Sequence, residues 1–139
     1  MSSTNDYNQR VIEEFRANGG EVPSFGGSSP LLLLHHRGAK SGIERVNPVA
    51  YLEDGGRYVI FASKGGAPTN PDWYHNLKAN PQASIEVGSE TIAVTASEAT
   101  GQERERLFAA QVQRSPTFGE YQANTKRLIP VIVLTPSGE

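Results

Sequence analysis

The feature that most constrains this chain is its punctuation. Between Leu31 and Leu134, short apolar runs are cut by the glycine-rich turns Gly38-Ala39-Lys40-Ser41-Gly42, Asp54-Gly55-Gly56 and Gly88-Ser89. Alternating runs of roughly four to eight residues read as strands, and tight turns between them join antiparallel neighbours. The spacing predicts a three-stranded meander: Leu31 to His36, Glu44 to Glu53 and Arg57 to Ser63. A hairpin follows, Ala83 to Val87 with Thr91 to Ser97, and the last strand runs from Leu128 to Leu134, interrupted by Pro130. Proline lacks the N–H that a ladder needs, which marks that strand as irregular. Six short strands joined in this way suit a mainly β (α+β) fold, a small antiparallel barrel with helices at its rim.

The helical signals fall outside the strands. Asn5 to Asn18 carries Tyr7, Val11, Ile12 and Phe15 on one stripe and ends at Gly19-Gly20. That stripe is expected to dock on the domain or on a partner, the alternative being peripheral contact with a membrane surface. Residues 1–30, closed by the flexible connector Gly26-Gly27-Ser28-Ser29-Pro30, thus precede a barrel domain of residues 31–139. Asn70-Pro71 reads as a cap with proline at the first helical position, and the helix from Pro71 stops at Asn80-Pro81 with Trp73, Tyr74 and Leu77 on its inner side. Thr100 and Glu103 form a capping-box pattern for a helix to about Gln113, with Leu107, Phe108, Gln111 and Val112 as its stripe. Ser115-Pro116 then opens a short helical or irregular segment through Thr125.

Composition removes several classes of function. With 139 residues and no cysteine, one domain must be held by its core, and neither a disulfide scaffold nor thiolate chemistry is available. No apolar run approaches the roughly 20 residues of a membrane-spanning helix, and no secretory signal pattern opens the chain, so a cytoplasmic location is expected. A net charge of −2 gives no global basic field for nucleic acid. His35 and His36 are neighbours in a strand and point to opposite faces, while His75 lies on a helix, so no histidine metal site is expected. Neither a Walker A loop, a dinucleotide fingerprint nor a nucleophile elbow is present, so any catalysis would rest on a bound organic cofactor.

Two segments do carry chemistry. Arg37, Lys40 and Arg45 surround Gly38, Gly42 and Ser41, with Glu44 the only acid between them. Such a turn can present backbone N–H groups, a hydroxyl and cations to an anion, or it is an ordinary solvated hairpin. Ala62-Ser63-Lys64-Gly65-Gly66 leaves a neighbouring strand and leads to Trp73, which is either a flat ligand surface or a core residue. Together the segments describe a site for an elongated ligand with a flat ring and a phosphate.

These blocks, with Arg45-Val46-Asn47-Pro48 and Asn70-Pro71-Asp72-Trp73-Tyr74-His75-Asn76-Leu77, resemble the deazaflavin-dependent nitroreductase family from about Leu31 to Pro136. The resemblance implies a six-stranded split β-barrel and the polyglutamylated 8-hydroxy-5-deazaflavin, coenzyme F-420. It implies that Lys40, Ser41, Gly42 and Arg45 serve the phosphate and acidic tail, with Gly38, Ala39 and Pro48 also binding the coenzyme. Ala62, Ser63, Lys64, Gly65, Trp73 and Asn76 would line the deazaflavin and its linker. Hydride would pass from the reduced coenzyme to a quinone, enone or nitro-type acceptor, with Ser63 and Tyr121 as catalytic contacts and Ala50, Phe118 and Tyr121 forming the substrate wall. This wall has fewer tyrosines than nitro-activating members offer, which turns the expectation toward quinones. An FMN-binding split barrel and a non-catalytic cofactor carrier are the alternatives.

Overall fold

In the computed structural model, residues 3–19, 31–63, 69–114, 116–126 and 128–137 are described, with side chains from residue 9 onward. Helix α1 (Ser3–Ala17) precedes β1 (Leu31–Arg37), β2 (Glu44–Asp54) and β3 (Arg57–Phe61). Helix α2 (Asp72–Ala79), β4 (Gln82–Val87) and β5 (Glu90–Ala99) follow, then α3 (Gly101–Arg114), α4 (Thr117–Ala123) and β6 (Val131–Pro136). The strands close into an antiparallel barrel in the order β1-β2-β3-β6-β5-β4. The joint between β1 and β4 is short, from Leu33↔Glu86 to His35↔Ser84. Beyond it a cleft of about 330 Å³ opens, lined by His35, His36, Arg37, Glu44, Gln82, Ala83 and Ser84.

Strand alternation sorts the side chains into an inner and an outer set. Leu32, Leu34, Ile60, Ile85, Val94, Ile132 and Leu134 fill the barrel, with Trp73 and Leu77 of α2 packed among them. On the outside, Leu52, Val59, Phe61, Val131 and Val133 lie under Leu107 and Phe108 of α3. Val11, Ile12 and Phe15 of α1 cover Leu31 and Leu33. A bidentate Arg16–Glu86 pair, at 2.7 and 3.2 Å, fastens that helix to β4.

This docking is the expected packing of the stripe on the domain, and it leaves the alternative of peripheral membrane contact unsupported. The apolar stripe of α1 is buried on the barrel, Phe15 completely, and has no apolar face left for a bilayer at those positions. Among the described residues no helix is long and apolar enough to cross a membrane. The side chain of Tyr7 and the connector lie outside the described residues.

Several boundaries also move for physical reasons. Pro71 occupies the cap position of α2, in extended conformation, and the helix begins at Asp72. Its buried side is Trp73, Asn76 and Leu77, the i, i+3, i+4 set, while Tyr74 flanks the core and donates to Glu98 of β5 at 2.9 Å. Glu103 ion-pairs with Arg57 at 3.3 Å, so the capping-box acid serves a link from α3 to β3. β6 starts only after Pro130, which has no N–H for the ladder but accepts the Ala62 N–H at 3.0 Å.

Candidate functional site

The turn between β1 and β2 closes on itself. Gly38 N–H donates to Ile43 O and Gly42 N–H donates to Gly38 O, both at 2.9 Å. Gly42 has φ +71°, where a side chain would be strained. Gly38 leaves room for the Ser41 hydroxyl: a Cβ there would lie 2.5 Å from Ser41 Oγ and turn it away from the Ile43 N–H that holds it at 3.2 Å. Ser41 therefore accepts within the turn and keeps its O–H to donate outward. Gly38→Ala is expected to lower stability by about 1–2 kcal/mol through this overlap. Adding Ser41→Ala should recover most of that loss, because it removes the obstructing atom; strictly additive losses in a denaturant double-mutant cycle would contradict the steric cause.

The electrostatics of the turn favour an incoming anion. Arg16, Arg57, Lys78, Arg104 and Arg106 each lie on a carboxylate. Among the described residues, Arg10, Arg37, Lys40, Arg45, Arg114 and Lys126 are exposed and lie on none, and Arg37, Lys40 and Arg45 of these stand together around this turn. Glu44, the acid next to Arg45 in the chain, is drawn to His35 Nδ1 at 2.7 Å, and the other ring nitrogen of His35 lies 2.6 Å from Glu86. Arg16 first, and His35 with it, hold the Glu86 carboxyl below its usual range. The register explains the separation: Glu44 pairs with Arg37 and shares the outer face with His35, whereas Arg45 pairs with His36 on the inner face.

Behind the turn lies a buried relay that sequence reading did not find as a unit. Ala39 N–H donates to Asn76 Oδ1 at 2.9 Å, Asn76 Nδ2 lies 3.0 Å from His36 Nδ1, and His36 Nε2 lies 2.7 Å from Asn47 Oδ1. Asn76, expected to line the coenzyme, is placed here as the anchor of the turn. The β1–β2 register brings His36 near Asn47, but Asn76 joins them only through the docking of α2 on the barrel, and these residues are distant in sequence.

The remaining expected site residues fall into two groups. Trp73 is 7% exposed and packs in the barrel core, while Ala62 is fully enclosed. Phe61, Phe118 and Tyr121 form an edge-to-face aromatic row on the outer face, with centroids 5.7 and 5.3 Å apart. Ser63, 8% exposed, follows the end of β3 that carries Phe61. Pro48 and Ala50 are on the outer face of β2, and Ala50 packs beneath α1 beside Leu31. Lys64 and Gly65 lie outside the described residues, as do Ser115 and Arg127.

Comparison with known proteins adds the decisive observation: residues 8–136 match the model of the F420H(2)-dependent quinone reductases. The chain belongs to that family. The match takes in most of α1, so the likeness extends well before Leu31, where the motif blocks begin. An F420H(2)-dependent quinone reductase of Mycobacterium tuberculosis is 43% identical over 112 residues, covering 78% of this chain and 75% of the relative. A solved F420-H2 dependent reductase (FDR-A) is 43% identical with a TM-score of 0.70, covering 76% of this chain and 93% of that one. A solved domain-swapped dimer is 38% identical with a TM-score of 0.72, covering 96% and 99%.

Proposed function

We propose that this member of the family binds coenzyme F-420 with its phosphate and acidic tail at the Gly38–Gly42 turn and reduces a quinone-type acceptor beside the Phe61–Phe118–Tyr121 row. The observation that carries this reading is the pair Lys40 and Arg45, two cations that lie on no carboxylate among the described residues, on a turn that also presents an outward-facing Ser41 hydroxyl. That donor set fits a phosphodiester followed by glutamyl carboxylates, each of which calls for cations and N–H or O–H donors.

When bound, the reduced deazaflavin supplies a hydride from its own ring. The work left to the chain is to orient two flat molecules and to stabilise charge. Arg45 and Lys40 fix the charged end of the coenzyme, and the aromatic row gives an acceptor a flat apolar wall. Tyr121, and Ser63 at the strand end, donate to the acceptor oxygen on which negative charge develops. Enones and nitro groups develop charge on oxygen in the same way and enter as further acceptors of this geometry.

A titration with oxidised F-420, followed by FMN, checks the assignment by coenzyme fluorescence. Micromolar or tighter binding of F-420 with little affinity for FMN is the expected result, whereas tight FMN binding with no F-420 binding would overturn it. Tyr121→Phe should lower turnover roughly 10-fold while leaving F-420 affinity nearly unchanged, the pattern of an interaction made at the acceptor. Equal losses in both would remove Tyr121 from the acceptor side.

A further inference from the structure

A backbone N–H can only donate, so the Asn76 atom 2.9 Å from Ala39 N is an oxygen. The amide nitrogen is then the atom 3.0 Å from His36 Nδ1, and that ring nitrogen must accept. The one imidazole hydrogen sits on Nε2 and is donated to Asn47 at 2.7 Å. A single backbone amide thus fixes the polarity of a relay that joins the turn, α2, β1 and β2. His36 and Asn76 are 2% and 7% exposed, so water does not readily substitute for a lost partner.

We propose that His36 is a positioning residue for the coenzyme turn: as a neutral imidazole it holds the Asn76 amide in the one orientation that accepts the Ala39 N–H, and so sets where Lys40 and Ser41 stand. The proposal rests on the reading of this turn as the coenzyme's anion site. A second proton on the ring makes Nδ1 a donor facing the Asn76 nitrogen. Turning the amide over relieves that conflict but places its nitrogen against the Ala39 N–H. In either orientation one buried donor has no acceptor, and the turn loses its anchor.

Burial is the main influence holding the His36 imidazole below its ordinary 6.5. The Asn47 bond opposes it, Arg45 on β2 reinforces it, Asp72 on α2 opposes it, and His35 on β1 reinforces it. An unfolded chain takes up this proton near 6.5, the folded chain only at lower pH. The contribution of the relay to stability is therefore complete above that pH and is lost as pH falls through the folded value. Charge alone would act on binding in the opposite sense, because an added proton beside Arg45 attracts an anion. The sign of the pH dependence separates the two effects.

The test measures F-420 affinity and the hydrogen-exchange protection of the Ala39 amide from about pH 7.5 down to about pH 5, in the wild type and in His36→Gln. A glutamine amide can accept from Asn76 and donate to Asn47 without titrating, so this variant should rescue the relay at neutral pH and flatten its acid response. The expected result is that wild-type affinity falls roughly 10-fold relative to His36→Gln on acidification, with Ala39 protection lost over the same range. Identical profiles in the two proteins, or wild-type binding that tightens relative to the variant, would overturn the proposal. The Gly42 amide, bonded to Gly38 O, is an internal reference within the wild type, so the exchange result does not depend on the variant folding. Loss of Ala39 protection with unchanged F-420 affinity would overturn the coenzyme's placement at the turn, and with it the functional role of His36.

Discussion

Replacing Arg45 with alanine is expected to weaken F-420 binding roughly 10- to 100-fold, the loss that follows when a charge-assisted hydrogen bond of about 1.5–3 kcal/mol is removed. Arg45 is exposed and, among the described residues, lies on no carboxylate, so folding stability should change by less than about 0.5 kcal/mol. This split between binding and stability is what distinguishes an anion-binding arginine from a structural one. Arg45→Lys should recover part of the affinity, since the charge returns without the two-pronged donor. Raising ionic strength should weaken the wild type more than Arg45→Ala, because the exposed charge acts through screened solvent. Fluorescence titration at two salt concentrations measures the three binding effects and denaturant unfolding the stability; an affinity unmoved by Arg45→Ala would place the coenzyme's charged end elsewhere.

The turn was legible in the sequence because its requirements are local. Gly42 at positive φ, the cations around it and the strand alternation on either side all act within a few residues. The same holds for the meander and the hairpin, whose registers follow from their turns. What the sequence concealed depends on which residues meet across the barrel. Asn76 reads as a ligand contact on a short helix, yet closure of β1 against β2 and α2 makes it the partner of His36 and Ala39. Trp73 is a flat aromatic ring near a glycine-rich loop, and only the size of the barrel interior decides that its ring fills the core. The stripe of α1 has the same periodicity whether it covers a barrel or a bilayer, and the apolar outer face at Leu31 and Leu33 settles it.

Arg104 is the opposite kind of arginine, and replacing it with methionine is expected to destabilise the fold by about 2–4 kcal/mol. The helical pattern of α3 offers Leu107, Phe108 and Gln111 to the core, and Arg104 completes that buried face at 5% exposure. Its Nε and Nη2 donate to Ile129 O at 3.2 and 2.7 Å, Nη2 also donates to Gln122 Oε1 at 3.0 Å, and its guanidinium carbon stands 4.5 Å from the centre of the Phe108 ring. Gln122 Oε1 in turn accepts the Ile129 N–H at 3.0 Å. The guanidinium therefore ties α3 to α4 and to the segment entering β6. Methionine fills similar volume and keeps contact with Phe108, but it leaves the Ile129 carbonyl without these donors in a buried setting. Because Gln122 follows Tyr121 and Pro130 follows Ile129, loosening this tie should also shift the aromatic row relative to the end of β3. The expected signature is a melting temperature lowered by roughly 10 °C, a raised KM for the acceptor and an F-420 affinity close to wild type. Thermal unfolding with steady-state kinetics measures both; an unchanged melting temperature would mean that the Ile129 carbonyl finds other donors and that Arg104 does not hold the wall together.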